Sequence, residues 1–173
     1  MNNFEQIQSL MKFENDYDFY YIQILRRRKE NPGQAVDAIT VAEYEIFSKD
    51  EFATEFPSIV DICKKENARA YIRLNRRNKQ TEKEVKTWLI DIDYDENGNV
   101  PKYMDEIFEL LVSLQQAEHN DFSMIKIPTK NGFHYIAKTF DLKEFRRLYK
   151  TIDVNKEKKI DIHKDGPTVL FCN

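Results

Sequence analysis

The stretch Trp88-Leu-Ile-Asp-Ile-Asp93 decides how the second half of this chain folds. Side chains alternate along a β-strand, so Ile90 and Ile92 point to one face while Asp91 and Asp93 point to the other. Two carboxylates this close repel each other unless a cation or a basic group compensates, and hard oxygen ligands of this kind suit Mg²⁺ or Mn²⁺. The stretch therefore predicts a strand that carries a divalent-metal site, with an ordinary acidic turn as the alternative.

The residues that follow invite a different interpretation, because Asp93-Tyr-Asp95-Glu-Asn97-Gly98 matches the first half of a calcium loop. The second half does not match, since Met104 stands where the loop needs a bidentate Glu. The segment before the loop is also typical of a strand rather than a helix. Asn97-Gly98 is better explained as a turn, because both residues tolerate positive φ.

Length and composition favour a soluble cytoplasmic protein. With 173 residues the chain fits one domain that can bury a core without disulfides or structural metal. Its two cysteines, Cys63 and Cys172, have no zinc-like spacing, which indicates a reducing compartment. The N-terminus does not resemble a signal peptide, and no apolar run approaches membrane-spanning length, so no membrane partner is expected.

Basic residues are concentrated in one segment although the formal net charge is −3. Nine basic residues and three acids lie between Lys64 and Lys86, and Arg26-Arg-Arg-Lys29 adds a second cluster. Basic patches beside an acidic site suit a protein that handles phosphates, because they hold the polyanion while carboxylates hold the cation. Solvated surface charge is the alternative. The residues expected to contact nucleic acid are Arg73, Arg76, Arg77 and Lys79.

The N-terminal part, residues 1–86, is predicted to form a lobe of helices and strands. Aromatic and β-branched runs predict the strands, and apolar residues at helical spacing predict the longer helix, which Ser48 or Asp50 would cap. The predicted elements are a helix at Phe4–Lys12, strands at Phe19–Leu25, Val41–Phe47 and Ala70–Leu74, a helix at Glu51–Lys65, and a turn at Asn31–Gly33.

The C-terminal part, residues 87–173, shows the order β-α-β-β-α-β. This order predicts a ferredoxin-like unit, also called RRM-like, whose first and third strands are adjacent. The whole chain is thus expected to be one α+β domain, 1–173, in which this unit packs with the N-terminal lobe. The predicted elements are Trp88–Asp93, a helix at Tyr103–Ala117, strands at Ser123–Pro128 and Phe133–Thr139, a helix from Asp141 to Tyr149, and a final strand at Lys159–His163 that Thr168–Phe171 extends or pairs with.

This topology predicts a site on one face of the sheet. If the first and third strands are neighbours, Asp91 and Asp93 can face His134, and Asp161 borders the same sheet. Carboxylates from two strands can bridge two divalent ions, as in nucleotidyl transfer and in nucleases. The turn Thr129-Lys130-Asn131-Gly132 offers a hydroxyl, an ammonium, an amide and a close backbone approach, which suit a triphosphate. Lys164 is a further candidate, and a structural role for His134 is the alternative.

Three short motifs in order carry a family resemblance. Leu89-Ile-Asp91-Ile-Asp93 matches a motif of two hydrophobic residues, Asp, a hydrophobic residue and Asp or Glu. Thr129-Lys-Asn-Gly132-Phe-His134 matches a turn that leads to His, and Ile160-Asp161 matches a hydrophobic residue followed by Asp. The chain resembles a small, stand-alone member of the archaeo-eukaryotic primase superfamily, the primase-polymerases.

The resemblance implies a function and its participants. It implies a DNA primase or polymerase-type nucleotidyltransferase whose metals are held by Asp91, Asp93 and Asp161, with Thr129 and His134 at the nucleotide phosphates. The implied partners are Mg²⁺ or Mn²⁺, nucleoside triphosphates, and a single-stranded DNA or RNA template. A helicase or another replication protein, in a phage or plasmid setting, is a further implied partner.

Two other functions stay open, because a fold does not fix a function. One is a non-catalytic replication accessory or regulator that binds nucleotides or nucleic acid with the same pocket. The other is a divalent-metal nuclease. A rolling-circle initiator is disfavoured, since it needs two histidines that flank one hydrophobic residue, and His134 has Phe133 before it and Ile136 two places on.

Overall fold

The structure is a computed structural model that describes residues 1–28, 37–152 and 160–173, without the side chains of residues 27, 28 and 37. The expected turn at Asn31–Gly33, part of the Arg26–Lys29 cluster and Lys159 lie outside the described residues. The described residues form an α+β fold with two antiparallel sheets. Its elements are α1 (Phe4–Leu10), β1 (Asp18–Arg28), β2 (Asp37–Ile46), α2 (Lys49–Lys65), β3 (Arg69–Asn78), β4 (Glu84–Val85), β5 (Trp88–Asp93), α3 (Met104–His119), β6 (Met124–Pro128), β7 (Gly132–Ala137), α4 (Leu142–Ile152), β8 (Asp161–His163) and β9 (Thr168–Cys172).

The chain divides into two compact units. The first unit contains Met1–Val85 together with Pro167–Asn173, and the second unit contains Lys86–Gly166. None of the helices in the part of the chain that the structure describes is long and apolar enough to cross a membrane.

The first unit is built on a sheet in the order β2-β1-β3-β4, with β9 also paired to β3. Alternate residues of β1 and β3 are fully buried, as Ile22 and Ile72 show, because one face of the sheet carries the core. α2 begins after Ser48, whose hydroxyl accepts a hydrogen bond from the Glu51 amide at 3.0 Å, so Ser48 is the cap.

The prediction that Thr168–Phe171 joins the last strand of the second unit is wrong. β9 pairs with β3 of the first unit, with Phe171 opposite Ala70. The physical reason is the edge of β3: β4 is two residues long and pairs only with Arg76 and Arg77, which leaves the backbone groups near Arg69 without a ladder partner. An apolar run such as Thr168–Phe171 indicates a buried strand but does not specify its sheet. The second unit therefore ends at Gly166 rather than at the chain end.

The second unit follows the element order β5-α3-β6-β7-α4-β8. Its sheet has the strand order β6-β7-β5-β8, and each neighbouring pair is antiparallel. α4 begins after Asp141, whose side chain accepts a hydrogen bond from the Glu144 amide at 3.0 Å, as the sequence predicts. β5 is thus an inner strand with a neighbour on each side.

The helices of this unit share one core with one face of its sheet. Ile90 and Ile92 of β5 and Phe133 of β7 are at most 1% exposed and belong to a cluster with Leu111 of α3 and Phe145 of α4. Burial of a large apolar side chain stabilises a fold by about 1.5–3 kcal/mol, so this cluster fixes which face of β5 points inward. The residues between the buried ones are left on the opposite face.

Candidate functional site

The two acids of β5 lie on the sheet face opposite the core. Ile90 and Ile92 are buried in the core cluster, so Asp91 and Asp93, which alternate with them, project from the other face. Asp93 is exposed, whereas the side chain of Asp91 is 33% exposed. The apolar residues of the stretch thereby position its carboxylates.

The strand register places Asp91 between two other polar residues. Asp91 is directly opposite His134 on β7 and directly opposite Asp161 on β8. Residues opposite each other in antiparallel strands have Cβ atoms about 4.5–5.5 Å apart. Because β5 is an inner strand, one carboxylate faces both a histidine and a second carboxylate. Asp93, two residues further on, is opposite Gly132 and completes the acidic group.

A contact between His134 and Asp91 sets the electrostatics of the site. His134 Nε2 and Asp91 Oδ1 lie 3.4 Å apart, and the His134 side chain is only 16% exposed. The hydrogen bond with His134 holds the pKa of the Asp91 carboxyl below its usual range, while partial burial acts in the opposite direction. The charges of His134 and His163 lower the Asp91 pKa further. Asp91 is therefore kept ionised, as a cation ligand must be.

The turn before His134 needs glycine for a reason other than the one the sequence suggests. A Cβ atom at Gly132 would lie 1.9 Å from the carbonyl oxygen of Ile92, so the close approach is made by the backbone of β5. The turn closes through a hydrogen bond from the Thr129 amide to the Gly132 carbonyl at 3.0 Å, and the Asn131 carbonyl accepts from Tyr94 at 2.8 Å. The absence of a side chain at Gly132 therefore allows the turn to pack against β5, the strand that carries the acids.

The other groups of this turn are accessible. Lys130 and Asn131 are exposed, and Thr129 is half-buried. Since His134 comes two residues after Gly132 on β7, the turn and the histidine are parts of one hairpin edge.

β8 contributes a histidine that is not among the site residues expected from the sequence. His163 is opposite Leu89 and shares the sheet face of Asp161, because the two residues are two positions apart. The alternation Asp161-Ile-His163 was the signal that could have identified it. Lys164 falls on the other face, where its ammonium lies 5.6 Å from the centre of the Trp88 ring. The structure therefore brings His163, and not Lys164, to the side of the acids.

The four basic residues expected to contact nucleic acid lie in the first unit and differ in their surroundings. Arg76 is 11% exposed: it donates to the Lys12 carbonyl at 3.1 Å and lies 3.1 Å from Glu14 and 3.5 Å from Asp18. Because Asp18 is itself buried, Arg76 serves the internal structure of this unit. Its contacts do not favour a role in binding phosphate.

The remaining three basic residues are more accessible. Arg73 lies over the Tyr21 ring, with the guanidinium carbon 5.9 Å from its centre. The side chain of Arg77 is 43% exposed and lies 4.0 Å from Glu84. Lys79 forms an ion pair with Glu45 at 2.8 Å. Exposed pairs of this kind contribute about 0–1 kcal/mol, so these cations can exchange their partners for phosphate at small cost.

The loop after β5 is a turn, as Asn97-Gly98 predicts. Asp95 Oδ1 accepts hydrogen bonds from the amides of Asn97 at 2.9 Å and Asn99 at 2.8 Å, and Gly98 has φ of 77°. The Asp95 carboxylate thus closes its own loop.

Within residues 1–28, 37–152 and 160–173, no group of three or more His, Cys, Asp or Glu side chains is arranged to hold a metal ion.

Comparisons of this chain with protein-family models, with curated proteins and with solved structures found no match.

Proposed function

We propose that this protein is a metal-dependent nucleotidyltransferase of the primase-polymerase type that extends a primer, or makes one, on a single-stranded template. The observation that carries the proposal is the position of Asp91, which is opposite His134 on one side and opposite Asp161 on the other. Asp93 adds a third carboxylate to the same sheet face. This set of groups combines cation ligands with a phosphate-binding histidine.

The topology of the second unit supports the proposal. The element order β-α-β-β-α-β and the strand order β6-β7-β5-β8 agree with what is expected of a ferredoxin-like unit, in which the first and third strands lie in the centre. We propose this RRM-like identity for the second unit. The three motifs of the primase resemblance then lie on its first strand, at the start of its third strand and on its last strand.

The acids suit a hard divalent cation. Asp91, Asp93 and Asp161 would hold Mg²⁺ or Mn²⁺, since carboxylate oxygens are the ligands that these ions prefer. The low pKa of Asp91 keeps that ligand ionised at neutral pH without a bound cation. When bound, such ions activate the attacking hydroxyl and stabilise the leaving pyrophosphate.

The hairpin edge before β7 would bind the nucleotide. The exposed Lys130 and Asn131, the half-buried Thr129 and the imidazole of His134 lie on one short segment. An ammonium, an amide and a hydroxyl provide donors for triphosphate oxygens. The nucleotide would thus be held beside the acidic face by groups that β5 and β7 position.

The proposal is tested by removing the charge of the paired acids without changing their size. Asp91→Asn with Asp93→Asn should abolish Mn²⁺-dependent nucleotide incorporation on a primed single-stranded template, while circular dichroism and melting remain those of a folded protein. The ionised form of Asp91 is stabilised by its hydrogen bond with His134 and by the charges of His134 and His163, so the melting temperature without metal should fall modestly in the variant.

The matched control is Asp105→Asn with Glu106→Gln, which changes the net charge equally at exposed positions in the first turn of α3. Its incorporation rate should equal that of the natural chain. Incorporation retained by the Asp91 and Asp93 double variant would overturn the proposal. Shortening of the template by the natural chain would identify a nuclease, and nucleotide binding without turnover would identify a non-catalytic binding module.

A further inference from the structure

The exposed side of α4 carries a stripe of basic residues. Lys143, Arg146, Arg147 and Lys150 are all exposed. At 3.6 residues per turn these four positions fall within about 100° of arc on the helix. The opposite side of α4 packs into the core of the second unit through residues such as Phe145, which is 2% exposed. The packing therefore fixes the direction in which the basic stripe points.

Three of the four cations have no acidic partner among the residues that the structure describes. Glu144 forms a two-bond ion pair with Arg147, which occupies both residues. Within the described part of the chain, Lys143, Arg146 and Lys150 have no ion pair or side-chain hydrogen bond. α3, which packs beside α4, exposes Asp105, Glu106 and Glu109, yet these acids do not pair with the stripe. The protein has net charge −3, so this local excess runs against its overall balance.

We propose that Lys143, Arg146 and Lys150 form a binding surface for the phosphate backbone of a nucleic acid, separate from the acidic sheet face. A rise of about 1.5 Å per residue gives the stripe a length of roughly 10.5 Å. One duplex strand rises about 3.4 Å per nucleotide, so the stripe spans about three nucleotide steps and each of the three cations can meet a phosphate. A contact of this kind positions a strand without reading its sequence.

The packing of α4 favours nucleic acid over a membrane surface. A helix that lies on a membrane must bury its own apolar side in the lipid. In α4 that side is occupied, because Leu142, Phe145 and Leu148 pack in the core of the second unit. The exposed side of α4 is predominantly charged, and a regular polyanion is the partner that such groups suit.

The test measures the salt dependence of binding. Lys143→Gln with Arg146→Gln and Lys150→Gln is compared with the natural chain by fluorescence anisotropy, using a labelled oligothymidylate and a labelled duplex of equal length. Loss of three contacts should flatten the slope of log affinity against log salt by about 2 for the single strand and by about 2.7 for the duplex. The probe whose slope flattens by the expected amount identifies the form of nucleic acid that the stripe binds.

A control variant removes the same charge elsewhere. Lys12→Gln with Lys49→Gln and Lys102→Gln changes three exposed residues that lie outside both α4 and the basic segment from Lys64 to Lys86. Equal slopes for the α4 variant and this control would overturn the proposal. So would loss of binding to phosphatidylserine vesicles by the α4 variant with nucleic-acid binding unchanged. The inference does not depend on the proposed catalysis, because the slope is measured on the natural chain without nucleotide or divalent metal.

Discussion

At the scale of single residues, the acidic face depends on how Asp91 is held. Its carboxylate contacts His134 from one neighbouring strand and is influenced by His163 from the other. The folded chain therefore lowers the Asp91 pKa below that of the unfolded chain. By linkage, the resulting stability is present above the unfolded pKa of about 4 and is lost as the pH falls through the lower folded value.

Replacement of His134 by Ala should raise the pKa of Asp91 toward its ordinary value, because the hydrogen bond with His134 is the largest cause of the shift. NMR titration of the side-chain carboxyl carbon measures this directly. The difference in unfolding free energy between the natural chain and the variant should shrink as the pH falls below about 4. His119→Ala is the control, since His119 contacts Thr139 instead. An unchanged Asp91 pKa in the His134 variant would contradict the assigned contact.

Sequence reasoning could identify Asp91, Asp93, Asp161 and His134 as candidates because side chains alternate along strands. It could not identify what packs against Gly132. A glycine is required both where a neighbouring backbone comes close and where a phosphate binds, so the residue type does not distinguish the two cases. The 1.9 Å approach to Ile92 depends on which strand lies alongside. That is a property of the sheet and not of the turn.

At the scale of elements, β3 shows how one basic run serves two purposes. Arg73 and Arg77 are partly exposed, whereas Arg76 is directed toward Glu14 and Asp18. The sequence shows three arginines in five residues, and alternation alone separates Arg76 from the other two. It does not say which side of the strand is internal, because the partners of Arg76 come from the segment between α1 and β1.

Arg76→Ala should destabilise the chain by roughly 1–3 kcal/mol, since it leaves the buried Asp18 without its cation. Arg73→Ala with Arg77→Ala should change the melting temperature little and flatten the salt dependence of single-strand binding by about 1.4, for two lost phosphate contacts. Chemical denaturation and anisotropy on both variants make the comparison. A stable Arg76 variant with weakened binding would reverse the assignment of the two groups.

Most elements could be predicted from periodicity. The stretch Trp88–Asp93 is a strand with the predicted bounds, Asp141 caps α4 as expected, and Ser48, one of the two candidates, caps α2 in place of Asp50. β4 was missed because a two-residue strand has no period. The strand order of the second sheet depends on which strands pair with each other. The periodicity of one segment does not show its pairing partner.

At the scale of the whole molecule, the two ends of the chain meet in the first unit. The N-terminal ammonium donates to the Cys172 carbonyl at 2.7 Å, and the Asn3 amide donates to the Leu170 carbonyl at 3.0 Å. β9 thus closes a unit that begins with α1, although the second unit lies between them in sequence. No local pattern predicts such a return, because its contacts join residues more than a hundred and sixty positions apart.

Leu170→Ala should destabilise the chain by about 2–5 kcal/mol, because Leu170 is fully buried and its truncation leaves a cavity. Amide exchange should accelerate in β3, the strand with which β9 pairs. Val100→Ala, at a position that is 48% exposed, serves as the control and should change stability little. If the two variants melted alike, β9 would not be an integral strand of the first unit.

The position of Trp88 gives the protein a built-in optical reporter. It is the chain's only tryptophan, is 8% exposed, and lies in the second unit with the Phe140 ring 4.8 Å away and the Lys164 ammonium at its face. Tryptophan fluorescence, when indole is excited selectively, therefore comes from the second unit alone. Its emission spectrum should be blue-shifted because the Trp88 ring is sheltered from water. The first unit contains no tryptophan and does not emit under this excitation. The fluorescence of one unlabelled sample can therefore report changes in the second unit, which carries the acids, separately from changes in the first unit.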